Sequence, residues 1–144
     1  MTLYTFQSRG KSRGSYYVEI SHKGIIVAGG WRFNRPADQA GRFRAAIGLK
    51  ESGQAFERIA ARLRGNCFEP VGDRIKPSPK GYPADYPHAE WLRYKATCVE
   101  YRWPMEDWMF TEEILHQVES VWRETQPLID WLGRHVGPST FTYR

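Results

Sequence analysis

The sequence predicts an α+β fold: an antiparallel sheet built on a β-hairpin, covered on one face by helices, with a long C-terminal helix. Three observations predict it. Residues 16–28 alternate around a short glycine turn, as a half-buried hairpin does. Residues 36–65 and 111–136 repeat apolar side chains every three to four positions. Residues 97–102 then alternate again as a further strand.

The elements follow in order. Leu3-Tyr4-Thr5-Phe6 reads as a weak strand, and the glycines and like charges of Arg9-Gly10-Lys11-Ser12-Arg13-Gly14 read as a mobile basic loop. From Tyr16, the positions Tyr16, Val18 and Ile20 share one face and Tyr17, Glu19 and Ser21 the other. His22-Lys23-Gly24 supplies the turn, with Gly24 free to take positive φ, and Ile25–Ala28 forms the returning arm. Gly29-Gly30 lets the backbone bend or approach a neighbour closely before Trp31 and Phe33.

Pro36 suits the first position of a helix, where its missing N–H costs nothing, and Ala40, Phe43, Ala46 and Ile47 form the buried stripe, with Arg42 and Arg44 facing out. Ser52 is the expected cap of a second helix that buries Ala55, Phe56, Ile59 and Leu63 and stops at Gly65. Residues 66–87 hold most of the prolines and read as extended, with a short strand at Cys67–Val71. His88–Tyr94 reads as a short helix, and Thr97–Arg102 as a strand closed by Pro104. The clearest helix is the last. Ile114, Val118, Val121, Trp122, Ile129, Leu132 and Val136 fall on one stripe, Thr111 is the expected cap, and Pro127 should kink it. Val18, Ile20, Phe43, Phe56, Ile59, Trp122 and Leu132 are the expected core. The expected organisation is a basic N-terminal segment (1–15), one domain (16–137) and a tail (138–144).

Composition narrows the function classes. A chain of 144 residues supports one core, and six tryptophans in a charged chain imply that a core or a groove is built from large flat side chains. No apolar run is long enough for a membrane span and no apolar leader is present, so a cytoplasmic location is expected. Cys67 and Cys98 are isolated, read as buried reduced thiols with a cross-strand disulfide as the alternative; neither lies in a zinc or nucleophile motif. His22, His88, His116 and His135 match no metal spacing and read as surface or helix-face residues. No metal or cofactor is expected.

The net charge of +5 conceals a division. Residues 1–105 carry 18 basic and 9 acidic residues, whereas 106–135 carry two and seven. The basic part could attract phosphates, nucleic acid or an acidic partner, or the acidic helix could simply lie beside it. Asp73 and Asp85 could form an acid/base pair, but Asp85 is equally explained as a turn or capping residue before His88. Lys76, Lys80, Tyr82 and Lys95 bring three cations and a phenol onto one proline-stiffened loop, which could hold a phosphate or carboxylate or could be a solvated loop without a ligand.

Three segments in order carry a family resemblance: Tyr16-Tyr17-Val18-Glu19-Ile20, Gly29-Gly30-Trp31, and Ile75-Lys76-Pro77-Ser78-Pro79-Lys80-Gly81-Tyr82 with Asp85-Tyr86-Pro87 and Lys95 after it. Over residues 16–136 the chain resembles the C-terminal part of the domain-of-unknown-function family DUF 2461. The resemblance implies no assigned activity. Tyr86 stands where the family usually has His, so no role of that imidazole carries over. The family's front motifs are absent, which makes the chain resemble a shortened member.

The functional expectation is a domain that binds an anionic ligand through Lys76, Lys80 and Lys95, with Tyr82, Asp85 and Trp31 at the pocket; whether it is an enzyme is left open. The alternatives are a nucleic-acid-binding module using Arg9, Lys11, Arg13 and the arginine-rich first helices, and a protein-interaction scaffold. A homodimer or another protein partner is expected at Tyr16, Trp31 and Phe33, with Arg9–Arg13 at the rim, unless residues 1–8 fold back as a strand over that face.

Overall fold

The alternating run from Tyr16 becomes a strand because its β-branched and aromatic side chains pack on a pleated surface, and a turn of two residues returns it on itself. In the computed structural model, which describes residues 2–7, 15–32, 37–65, 70–71, 80–93 and 96–137, this is β2 (Ser15–Ser21) paired antiparallel with β3 (Gly24–Arg32). Gly24 closes the turn at φ 127°, as the sequence predicts. β1 (Thr2–Gln7) lies beside β2, β5 (Ala96–Pro104) beside β3, and β4 (Pro70–Val71) on the far edge. Among the described residues the sheet order is therefore β1-β2-β3-β5-β4, with every pair antiparallel.

One face of this sheet meets the helices. The register aligns Ile20, Ile25 and Trp103, then Val18, Val27 and Tyr101, then Tyr16, Gly29 and Val99. These rows carry the buried Ile25, Val27 and Val99. The opposite face carries Tyr17, Glu19, Ile26, Glu100 and Arg102, where Tyr17 donates to Glu19 and Arg102 pairs with Glu100. Cys98, opposite Gly30 on that second face, is half-buried rather than fully buried.

The helices are α1 (Ala37–Gly48), α2 (Lys50–Gly65) and α3 (Glu113–His135), with 3₁₀ turns at Ala89–Arg93 and Asp107–Phe110. α3 lies on β3, and α1 and α2 pack against it. Its acidic first turn suits the positive end of the helix dipole, and the Thr111 hydroxyl accepts from the Glu113 N–H at 3.2 Å. The helix continues through Pro127.

Phe43, Phe56, Trp91 and Trp131 form the centre of the core. Their rings meet edge to face, with Phe56 at 5.6 Å from Phe43, 5.0 Å from Trp91 and 4.8 Å from Trp131. Such pairs add about 0.5–1.5 kcal/mol each beyond the area they bury. The buried Trp131 indole is also satisfied, donating to the Ser52 carbonyl at 3.0 Å.

Four further details differ from the sequence reading. α2 starts at Lys50, with only Leu49 between it and the end of α1, so Ser52 lies inside its first turn and does not cap it; the hydroxyl turns back to the Ala46 carbonyl. Arg44 is half-buried and donates to the Leu92 carbonyl at 3.2 Å, while the half-buried Arg42 pairs with Asp38 at 3.6 Å, so neither simply faces out. On α3 the buried row runs through Val121, Thr125, Leu128 and Leu132, with Ile129 only half-buried. Of the expected core, Phe43, Phe56 and Leu132 are fully buried, whereas Val18, Ile20, Ile59 and Trp122 pack around it partly covered.

Candidate functional site

The loop after residue 79 is held against the junction of α1 and α2, and short side chains at that junction make room for it. Gly48 is the last residue of α1. A methyl group there would lie 1.9 Å from the Tyr86 hydroxyl, so the absence of a side chain is what admits the phenol. Tyr86 points its hydroxyl at the Arg44 carbonyl, 3.4 Å away, and Tyr82 meets the Tyr86 ring edge to face at 4.9 Å. The turn between them is closed by the Tyr86 N–H on the Pro83 carbonyl at 3.1 Å.

Two residues later the chain makes an unusual move. His88 has φ 55°, a left-handed conformation that costs a residue with a Cβ about 1–2 kcal/mol. It persists because its surroundings fix it. Nδ1 lies 3.0 Å from Glu57 Oε1 on α2, and the same oxygen accepts from the Trp91 indole at 2.6 Å. Trp91 is itself buried, with the Arg64 guanidinium 5.2 Å above its ring. Gly53, one turn before Glu57, leaves space for the imidazole: a methyl group there would stand 2.9 Å from Cδ2 and 3.2 Å from Nε2.

This arrangement has a definite chemistry. A carboxylate oxygen only accepts, so Nδ1 is the ring nitrogen that donates to Glu57, and the contact fixes the orientation of the ring. A carboxylate that orients an imidazole is also the pairing used to move protons. His88 and Glu57 are about one quarter to one third exposed, so the pair lies at the surface end of a buried anchor.

Lys80 and Asp85 lie exposed on this same loop, and Tyr82 is half-buried in it. Lys76 and Lys95 lie outside the described residues, as do Asp73, Cys67, Phe33 and Arg9–Arg13. Trp31 is on β3 opposite Thr97, and its side chain lies outside the described residues. Tyr16, expected at an interface, is engaged within the chain: its ring meets Trp122 at 5.2 Å and its hydroxyl donates to Gln126. Burial, and secondarily the charge of Asp130, raises its pKa and keeps the phenol protonated. Residues 2–7 do form the strand beside it.

The pairing of His88 with Glu57 and Trp91 was missed in the sequence, because the two ends are 31 residues apart. The available signal was Gly53, an isolated glycine inside an otherwise good helix, which usually has a packing reason. Among the described residues, no group of three or more His, Cys, Asp or Glu side chains is placed to hold a metal ion, and no helix is long and apolar enough to cross a membrane.

The family model for conserved hypothetical proteins DUF2461 matches residues 1–131. The chain belongs to this family. The match takes in β1 and the basic segment before Tyr16 as well as the three segments that carried the resemblance. No curated protein and no solved structure matches the chain significantly.

Proposed function

We propose that this DUF2461 member binds a small anionic ligand at the loop of residues 76–95, with Lys76, Lys80 and Lys95 as the cationic groups. One observation carries the reading: Tyr82, Tyr86 and His88 pin the loop to α1 and α2, while Lys80 on the same loop is exposed and has no ion pair among the described residues. A cation held on a preformed loop loses less freedom on binding than one on a free chain. The exposed Asp85 can accept from a ligand hydroxyl. The chemistry of the loop therefore favours an anion that also carries O–H groups, such as a hydrogen phosphate or a hydroxy acid. Tyr82 and Trp31 supply apolar walls in this reading.

Titration with inorganic phosphate, followed by backbone amide NMR at low salt, tests it. Shifts should concentrate at Lys80–His88, and Lys76→Ala with Lys80→Ala should weaken binding about tenfold, the loss of a charge-assisted contact. Gly48→Ala, which displaces Tyr86, should weaken it as well without touching a lysine. Phosphate-induced shifts that are absent from the loop, or that survive both sets of changes, refute the reading.

A further inference from the structure

The surface between α2 and α3 offers a different chemistry. A groove of about 280 Å³ opens there, floored by Ala55, Ile59 and Leu63, which follow one another at four-residue spacing along α2, and walled on the α3 side by Pro127. Proline brings a ring and no N–H, so that wall presents an apolar side chain and no backbone donor. Arg58 and Arg62, one turn apart on the next row of α2 and both exposed, stand at the rim, with Glu124 also lining the groove. Two guanidinium groups against one carboxylate leave a single net positive charge over an apolar floor. That combination fits a monoanion with a hydrophobic body and disfavours a dianion.

Size narrows the ligand further. A cavity of roughly 150 Å³ holds benzene, so a groove nearly twice as large takes a body of about two fused rings or an aliphatic chain of similar bulk. We propose that this groove binds a small amphipathic carboxylate, its apolar body on Ala55, Ile59, Leu63 and Pro127 and its carboxylate held by Arg58 and Arg62. Arginine is suited to the role because its planar fork meets a carboxylate through two parallel hydrogen bonds. The site is independent of the loop lysines, and its success or failure leaves the reading of the loop untouched.

The test uses the full chain and the probe 2-naphthoate, with neutral 2-naphthalenemethanol as the matched control. In amide NMR titrations naphthoate should shift Ala55, Ile59 and Leu63 with a dissociation constant of about 1 mM or tighter, and the alcohol should bind at least about tenfold more weakly. Replacing both arginines, Arg58→Ala with Arg62→Ala, should cost about tenfold or more in naphthoate affinity; both are exposed, so the fold should tolerate the change. Ala55→Phe should fill the groove and abolish binding, and Lys80→Ala should leave it unchanged. Equal binding of acid and alcohol, indifference to the arginine changes, loss of binding in Lys80→Ala, or no shift of the groove amides at about 10 mM naphthoate would each overturn the proposal.

Discussion

Replacing Gly29 with alanine should destabilise the fold, and the reason can be followed atom by atom. Gly29 lies in the middle of β3, opposite Tyr16 on one side and Val99 on the other, where α3 crosses the sheet. A methyl group there would lie 2.4 Å from Thr125 Oγ1 and 2.9 Å from Thr125 Cβ, both shorter than any tolerable contact. Thr125 is fully buried and its hydroxyl donates to the Trp122 carbonyl at 2.9 Å; turning the side chain would only bring Cγ2, now 3.3 Å away, into the same space. The helix must then lift from the sheet, at a cost of about 1–3 kcal/mol. Without that collision the sign would reverse, because alanine for glycine at an ordinary strand position restricts the unfolded chain and stabilises by about 0.4–1 kcal/mol. Urea denaturation followed by circular dichroism reads the difference directly. Thr125→Ala should itself cost about 1 kcal/mol through the lost hydroxyl contact. The double variant should be less destabilised than the sum of the two by about 1 kcal/mol or more, because only the Cβ contact remains. A Gly29→Ala protein as stable as the parent, or two changes that simply add, would refute the account of how α3 seats on the sheet.

Leu132→Ala should lower unfolding stability by about 2–5 kcal/mol in the same assay, since Leu132 is fully buried in the core cluster; unchanged stability would refute the placement of α3. His135, against the Trp131 ring at 4.8 Å, has its pKa lowered by burial and, secondarily, by the charge of Arg134. An unfolded chain therefore takes up this proton more readily than the folded one, and stability should fall as pH drops below about 6.5 towards the lower folded value. His135→Phe, which keeps a ring against Trp131, should flatten that part of the stability–pH curve, and a parallel curve would exclude the contribution.

The parts of the fold that could be read in the sequence are those whose pattern is local. The hairpin was legible because period-two alternation and a glycine turn fall within 15 residues, and Gly29-Gly30 could be read as a close approach without knowing to what. α3 was legible as a helix, but its buried row was placed off centre. A hydropathy pattern does not count Thr125, although a threonine whose hydroxyl returns to the Trp122 carbonyl is buried without an unmet hydrogen bond. Ser52 was misplaced for a related reason. The sequence marks serine as a cap, and nothing local reveals that α1 and α2 are separated by one residue, which puts that hydroxyl within reach of Ala46 instead.

The candidate site divides along the same line. Tyr82 and Tyr86 could be singled out because they belong to a continuous segment, and their use as anchors depends only on a gap at Gly48. His88 was read as a surface histidine because its chemistry is supplied by Glu57, a residue on another element. That contact explains why a left-handed histidine is retained at the end of a proline-rich loop. The carboxylate binds the imidazole and the Trp91 indole through one oxygen, so the surface loop and the aromatic core share a single fixed point. A change at Glu57 therefore acts in two places at once: it loosens the loop that carries Lys80, and it removes the carboxylate bond of the buried Trp91 indole. Loop order and core stability are coupled through this residue, and any ligand that tightens the loop draws on the same contact that holds Trp91 in the core.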